Sequence, residues 1–270
     1  MITLAHIFLV LLGIVWIYPF LWMVCGSLKT NLEFLSSGLQ LLPKVFRWQN
    51  YVRAWAQAHF STYFFNSVIL TVSVVVLVVV LCALSGYALG RIDFPGRKVI
   101  IGVVTGLMFV PQGYTIVPLY ELIRTLGLDN TLVGVILAQA SGAHVLFILL
   151  FTAFFSTMPK ELEESANIDG AGFLRTFARI MLPMAKPIIA TTCIMQFIWT
   201  WNSFLVPLVF TLNNPSLRTL AVGMYAFIGQ YQTDWSGMAA GATISLIPII
   251  LVFVALQRYF VDGIAGAIKG

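Results

Sequence analysis

The sequence predicts an all-α integral membrane protein of six transmembrane helices, with a polar helix–glycine–helix loop between the fourth and fifth. Three observations carry this prediction. The 270 residues are 60% hydrophobic and 9% charged. Six separate stretches are long and apolar enough to cross a bilayer as helix. One internal segment, residues 159–187, interrupts them and holds four of the ten acidic residues and four of the fifteen basic ones.

A soluble chain is usually about a quarter charged. This one has too little polar surface to cover a soluble core, so a lipid bilayer is its solvent. The net charge of +5 comes without a basic run. That does not suggest a nucleic-acid partner and suits cytoplasmic loops beside anionic lipid. Cys25, Cys82 and Cys193 each sit inside an apolar run and read as buried thiols. No Cys/His cluster has metal spacing, so no metal site is expected.

The expected spans cover residues 4–27, 63–89, 99–119, 132–155, 188–212 and 239–259 of a single transmembrane domain, 1–270. Backbone groups in lipid must be satisfied internally, which makes each span a helix even through the Val-rich run 74–80. The first span lacks a basic leader and a small-residue cleavage site, and reads as a retained helix rather than a signal peptide.

Orientation follows Lys and Arg. Residues 91–98 carry Arg91, Arg97 and Lys98, whereas the loops after spans three and five carry only Arg124 and Arg218. Cytoplasm is therefore expected after spans two, four and six, with both termini inside. Loops 30–62 and 213–236 fall outside, although Lys44, Arg47 and Arg53 run mildly against the rule. Segment 159–187 and the tail 262–270 fall in the cytoplasm.

Pro111, Pro207 and Pro248 lie within or near the ends of spans, where a missing N–H permits bending or leaves a static kink filled by neighbours. Gly102/Gly106 and Gly237/Gly241 are small-xxx-small pairs suited to close helix packing, within the chain or at a partner subunit.

In the polar segment, Pro159 suits a helix start. Glu161, Glu163 and Glu164 favour a helix N-terminus. Leu162 and Ala166 share a face. Ser165 and Ala166 are small enough for close approach by another surface. Gly170, after Asp169, suits a left-handed helix end. A second helix fits residues 173–181, with Phe173, Phe177 and Ile180 as an apolar stripe and Arg175 and Arg179 on another face. Pro183 and Pro187 close the unit. Composition alone leaves two readings open, a solvated amphipathic loop at the lipid interface and a docking site.

The spacing decides between them. Glu164-Ser165-Ala166, three residues, Gly170, nine residues, Ile180, one residue and Leu182-Pro183 resemble the EAA loop of binding-protein-dependent ABC transporter permeases. That pattern is Glu-Ala-Ala, three residues, Gly, nine residues, Ile, one residue, Leu-Pro. Ser165 stands where the family favours Ala and is nearly as small. Other stretches resemble the maltose-type, carbohydrate-uptake permeases of this family: Tyr18-Pro19-Phe20-Leu21-Trp22-Met23, Ser27-Leu28-Lys29, Asn50-Tyr51, Asn66-Ser67, Gly86-Tyr87-Ala88, Phe94-Pro95-Gly96-Arg97, Trp201-Asn202 and the ending Lys269-Gly270. Among them the chain is most similar to the second, six-span permease subunit.

The resemblance implies a permease of a bacterial or archaeal cytoplasmic (inner) membrane. It implies a second permease, usually a different chain, two ATPase subunits, and an extracellular or periplasmic solute-binding protein that delivers a sugar. The implied ATPase-coupling residues are Glu164, Ser165, Ala166, Asp169, Gly170, Ile180, Leu182 and Pro183, with Glu164 meeting a basic surface. The loop before the last span would reach the binding protein through Tyr225, Tyr231 and Trp235. The tail 262–270 would reach between the ATPases.

No Walker A pattern occurs. ATP and Mg are thus expected at the partner ATPase, with no cofactor and no catalytic residue on this chain. Asn66, Gln112, Gln139, Gln196, Trp199 and Asn202 are candidates for a sugar path. Packing between helices is the commoner use of such intramembrane groups. His144 reads as a satisfied interior histidine. Alternative functions are a self-sufficient secondary carrier or channel, an importer for a non-sugar solute, and a structural subunit. A carrier commonly shows intramembrane charge and inverted repeats, and neither is evident.

Overall fold

The structure is a computed structural model describing residues 2–56, 59–110, 115–141, 144–228 and 233–268, with side chains from residue 4 to 259 except Ala226. Among the described residues the regular structure is helical, with one isolated bridge between Ile228 and Thr233. The chain forms two compact units: Met1–Asn66 with Arg218–Ile250, and Ser67–Leu217 with Leu251–Gly270.

The first unit begins with α1 (Ile2–Gly26), apolar on every face and unburied along its most hydrophobic stretch. A helix with no polar face is either a core helix or a membrane span. The following segment is not a bare loop. It holds α2 (Asn31–Ser36) and α3 (Gln49–Ala56). Thr30 caps α2 by accepting from the Glu33 amide at 3.2 Å.

Helix α4 (Phe60–Arg91) has 32 residues and no proline, a length of about 48 Å. Its first residues belong to unit 1 and the rest to unit 2. Leu70, Val74, Val78 and Cys82 recur every fourth residue and are buried. Val72, Val76 and Val80 are exposed. The Val-rich run therefore splits into a core stripe and an outward stripe.

Unit 2 continues with α5 (Arg97–Gly106), a 3₁₀ turn Leu107–Phe109 and α6 (Ile116–Thr125). The expected span 99–119 is thus not one helix in the described residues. Val110, just before Pro111, is extended with ψ 117°. Proline's ring disfavours helical backbone in the residue before it. Pro111 itself lies outside the described residues.

Helices α7 (Leu132–Ala140) and α8 (Val145–Ser156) occupy the expected fourth span, bent by 57° at a break. Phe147, Phe151 and Phe155 on α8 are fully buried and form the centre of the core with the α4 stripe, Val135, Ala138, Met181 and Phe210. Helices α4 and α8 approach closely at Gly86 and Gly90. A Cβ on Gly86 would collide with Phe151, and one on Gly90 would lie 2.9 Å from the Thr152 carbonyl. Gly102 and Gly106 face open space, while Gly241 meets Phe60 and Met224 within unit 1.

Helix α9 (Glu161–Ile168) ends in a Schellman turn. Gly170, at φ +74°, donates to the Asn167 carbonyl at 3.0 Å, and Ala171 donates to Ala166 at 2.9 Å. The second arm opens with α10 (Phe173–Thr176), widens into a π-turn over Phe177–Met181 and closes with α11 (Leu182–Met184). The path then bends by 77° into α12 (Lys186–Trp201). Pro187 in the first turn of α12 has no N–H to carry the ladder across that bend.

The expected fifth span, 188–212, is also divided. After a break at 202–204, α13 (Leu205–Phe210) follows. Pro207 lies in the first turn of α13, where no intrahelical donor is required, so it starts a helix rather than kinking one. Returning to unit 1, loop 213–236 contains 3₁₀ turns Pro215–Leu217 and Met224–Phe227 and a short α14 (Leu220–Gly223). The last helix, α15 (Trp235–Ile268), runs unbroken past Pro248 and carries helical backbone beyond the expected end at residue 259. Its tail side chains lie outside the described set.

By length and composition, α1, α4 and α15 each suffice to cross a membrane. Among the described residues, taking each of the bent pairs α7/α8 and α10–α11/α12 as one span brings the number to as many as five. The three cysteines are free thiols, with Cys82 buried.

Gly86→Val is expected to lower stability by about 1–3 kcal/mol through overpacking, read as a lower melting temperature of the detergent-solubilised chain. Gly102→Ala on the same assay should change stability by less than about 0.5 kcal/mol. Gly170→Ala meets no neighbouring atom, so its effect should be the backbone penalty alone, about 1–2 kcal/mol. Faster amide exchange at Ala171 would report it, and unchanged protection there would refute the turn.

Candidate functional site

The polar segment 159–187 brings charge onto one surface of unit 2. Glu161, Glu163 and Glu164 crowd the first turn of α9, where the helix dipole favours negative charge. Their surroundings differ. Glu164 and Ser165 are exposed, as are Asp169 and Gly170. Glu163 points inward. Its Oε1 accepts from the Tyr87 hydroxyl at 2.7 Å, and its Oε2 takes Nε of Arg91 at 2.7 Å and Nη2 of Arg91 at 2.5 Å.

The Arg91 side chain is 5% exposed. Nη1 donates to the carbonyls of Met158 at 2.7 Å and Phe155 at 3.3 Å, and Nη2 to Pro159 at 3.3 Å. These carbonyls belong to the end of α8 and the turn after it, where helix acceptors lack intrahelical partners. One guanidinium therefore satisfies a helix end and neutralises a carboxylate. Arg97 acts similarly at the end of α4, donating to the Leu89 carbonyl at 2.6 Å and pairing with Asp93 at 2.5 Å. A cavity of about 410 Å³ beside them is lined by Asp93, Arg97, Lys160, Glu164 and Asn167, among others.

The Tyr87 ring stacks on Phe173 at 5.0 Å and lies 5.1 Å from Phe177. Both arms of the segment thus meet the last turn of α4. Ala166, expected to face a partner, is instead buried within its own chain, while its neighbour Ser165 stays exposed. Ile180 and Leu182 pack partly against the core, and Pro183 is exposed. Ile168 is 86% exposed at the end of α9, and Leu174 on α10 is exposed as well. The sequence signal for Ile168 is an apolar residue at the end of a charged helix. Glu163 carries no signal separating it from its acidic neighbours.

The six path candidates do not form one group. Asn66 donates to the Arg218 carbonyl at 3.0 Å within unit 1. Gln112 lies outside the described residues. In unit 2, Gln196 is 1% exposed and donates to Thr200 Oγ1 at 2.9 Å, so its own chain encloses it. Gln139 accepts from Ser203 at 3.3 Å, next to exposed Asn202, which donates to the Ile198 carbonyl. Half-exposed Trp199 stacks on Phe147 at 5.2 Å, and Phe147 in turn lies 6.1 Å from His144. Gln139, Asn202 and Ser203 lie where α7 and α12 end. Irregular backbone at membrane depth is tolerated where it is buried in protein or lines a wet cavity.

In unit 1, Tyr225 is exposed and Tyr231 lies outside the described residues. Trp235 stacks on Phe34 at 6.5 Å, and its amide donates to Asn31 Oδ1 at 2.8 Å. Asp234 caps α15 through the Gly237 amide at 2.9 Å and pairs with Arg53 at 2.9 Å. Several residues that carried the resemblance meet one another here. Lys29 is 1% exposed and bonds Ser37 Oγ at 2.8 Å and the Gln40 carbonyl. Asn50 donates to the Ser27 and Lys29 carbonyls, both at 2.8 Å, and Ser27 shares a 2.6 Å hydrogen bond with Tyr51.

The chain is similar to known proteins over nearly its whole length. The probable ABC transporter permease protein YurM of Bacillus subtilis is 40% identical over 99% of this chain and 89% of its own length. The diacetylchitobiose uptake system permease protein NgcG of Streptomyces coelicolor is 36% identical, over 95% and 85% respectively. The melibiose/raffinose/stachyose import permease protein MelC of Bacillus subtilis is 33% identical, over 93% and 91%. The fold matches a chain in the crystal structure of a bacterial ABC transporter involved in import of the acidic polysaccharide alginate. That match has a TM-score of 0.83 and 24% identity, covering 96% of this chain and 95% of the other. The family model of binding-protein-dependent transport system inner membrane components matches residues 60–266. The chain belongs to that family.

Proposed function

We propose that this chain is one permease subunit of an ATP-driven importer for an oligosaccharide, coupled to a separate ATPase through segment 159–187. The permease family makes it a non-catalytic transmembrane subunit, working with other permease, ATPase and binding-protein components. The finer reading is a six-span chain with both termini cytoplasmic, paired with a second, different permease on two ATPase subunits. ATP and Mg would be used by those subunits.

One observation carries the docking role. The segment turns Glu164, Ser165 and Ile168 outward while anchoring Glu163 inward. An exposed acidic and apolar face on a rigidly held helix fits a cleft in a soluble partner with basic walls. ATP-driven closure of the partner would act through differential contacts with this face. Relatives named for diacetylchitobiose and for raffinose-type sugars support a saccharide cargo. The gathering of Gln139, Trp199, Asn202 and Ser203 at the helix breaks supplies donors, acceptors and an aromatic face for a sugar path.

The test is to co-purify the chain with its partner permease, ATPase and binding protein. Maltose, trehalose, raffinose and diacetylchitobiose are then screened for stimulation of ATP hydrolysis. At least one should stimulate, and indifference to every saccharide would sink the cargo assignment. Glu164→Lys should reduce stimulated hydrolysis about tenfold or more, as expected for reversing a charge at a docked interface. Normal stimulation in that variant would overturn the docking role.

A further inference from the structure

We propose that Arg91, Tyr87 and Glu163 form a positioning joint that makes the coupling helix α9 and the span α4 move as one body. This rests on the docking role given to segment 159–187 and names how motion leaves it.

The joint is built from spacing. Tyr87 and Arg91 are one turn apart and lie on one face of the last turn of α4. Together they occupy both oxygens of Glu163, with bonds of 2.7 Å from Tyr87 and 2.7 and 2.5 Å from Arg91. The remaining Arg91 donors hold the Phe155, Met158 and Pro159 carbonyls, so the same side chain fixes the turn leading into α9. Beyond the Gly170 turn, the Tyr87 ring holds Phe173 and Phe177. Both arms of the segment are therefore gripped by one turn of one helix.

α9 has few other ties to the core. Ala166 is its one buried residue. A load applied to the exposed Glu164 face thus has its stiffest route through the charge-assisted bonds of its neighbour Glu163. It enters a 32-residue helix without proline, so no missing proline N–H interrupts the ladder. Simple capping of α8 would need only the carbonyl contacts. It would not need the carboxylate of another helix or the aromatic plate on the second arm.

The test uses the complete complex in lipid nanodiscs. Cys25, Cys82 and Cys193 are replaced by Ala, and spin labels are placed through Glu161→Cys on α9 and Val76→Cys on α4. Both label positions are exposed. The inter-label distance is measured without nucleotide and after trapping with ATP, Mg and vanadate. In the parent protein it should stay within about 2 Å between the two states, the scale of small packed-helix shifts. Arg91→Ala should retain the ATPase subunits yet give a distance that broadens and changes on trapping. A larger change in the parent, or an Arg91→Ala distance identical to the parent in both states, overturns the joint. If Arg91→Ala fails to assemble, Glu163→Gln, which keeps shape but loses the charge, decides by the same measurement. The docking role fails differently: Glu164→Lys would then show normally stimulated ATP hydrolysis, whatever the labels report.

Discussion

A guanidinium withdrawn from water must be surrounded by acceptors, and much of unit 2 is arranged around meeting that demand for Arg91. Removing one partner of a buried hydrogen-bonded ion pair typically destabilises by about 3–5 kcal/mol. Arg91 is held by a carboxylate and three carbonyls from the end of α8, the following turn and α9. Those acceptors line up because Gly86 and Gly90 let α4 approach the α8 backbone closely. The glycines set the distance between the helices, and the arginine fastens their ends.

The same use of polar groups recurs in unit 1. Lys29, Asn50 and Asp234 each direct their hydrogen-bonding capacity to chain ends and turns. In a chain with so few charges, polar side chains are concentrated where helices stop, because those places carry unsatisfied backbone groups. The loop residues of unit 1 that resembled the family belong to this class. Their chemistry is that of holding a loop in shape, while Tyr225 in the same unit is exposed.

The proposed docking role draws on a division of labour between adjacent residues. Glu163 and Glu164 have the same side chain and the same place near a helix start, yet one is sealed to α4 and the other faces water. An interaction surface needs both properties, exposed contacts and a support that does not yield. In that proposal the helix–glycine–helix unit would supply the surface, and the end of α4 the support. Elsewhere in unit 2, broken helices bring Gln139 beside Ser203 and Trp199 onto Phe147. A sugar path would draw on both polar and aromatic groups there.

Hydrophobic length and local chemistry were legible without coordinates: the helical class, the apolar runs, the glycine turn after Asp169 and the two arms around it. These depend on interactions within a few residues, which periodicity and capping rules describe. Three features were decided only by tertiary structure. Ala166 turned inward, where its small size suggested an outward contact. Gly86 and Gly90 became the close approach of α4 to α8. Residues near Val110 and 202–204 left the helix where hydropathy alone predicted continuous spans. Hydropathy measures transfer from water and is blind to direction around a helix and to which neighbour fills a gap. The choice between Glu163 and Glu164 was of the same kind, because only the placement of Arg91 beside one of two identical side chains could make it.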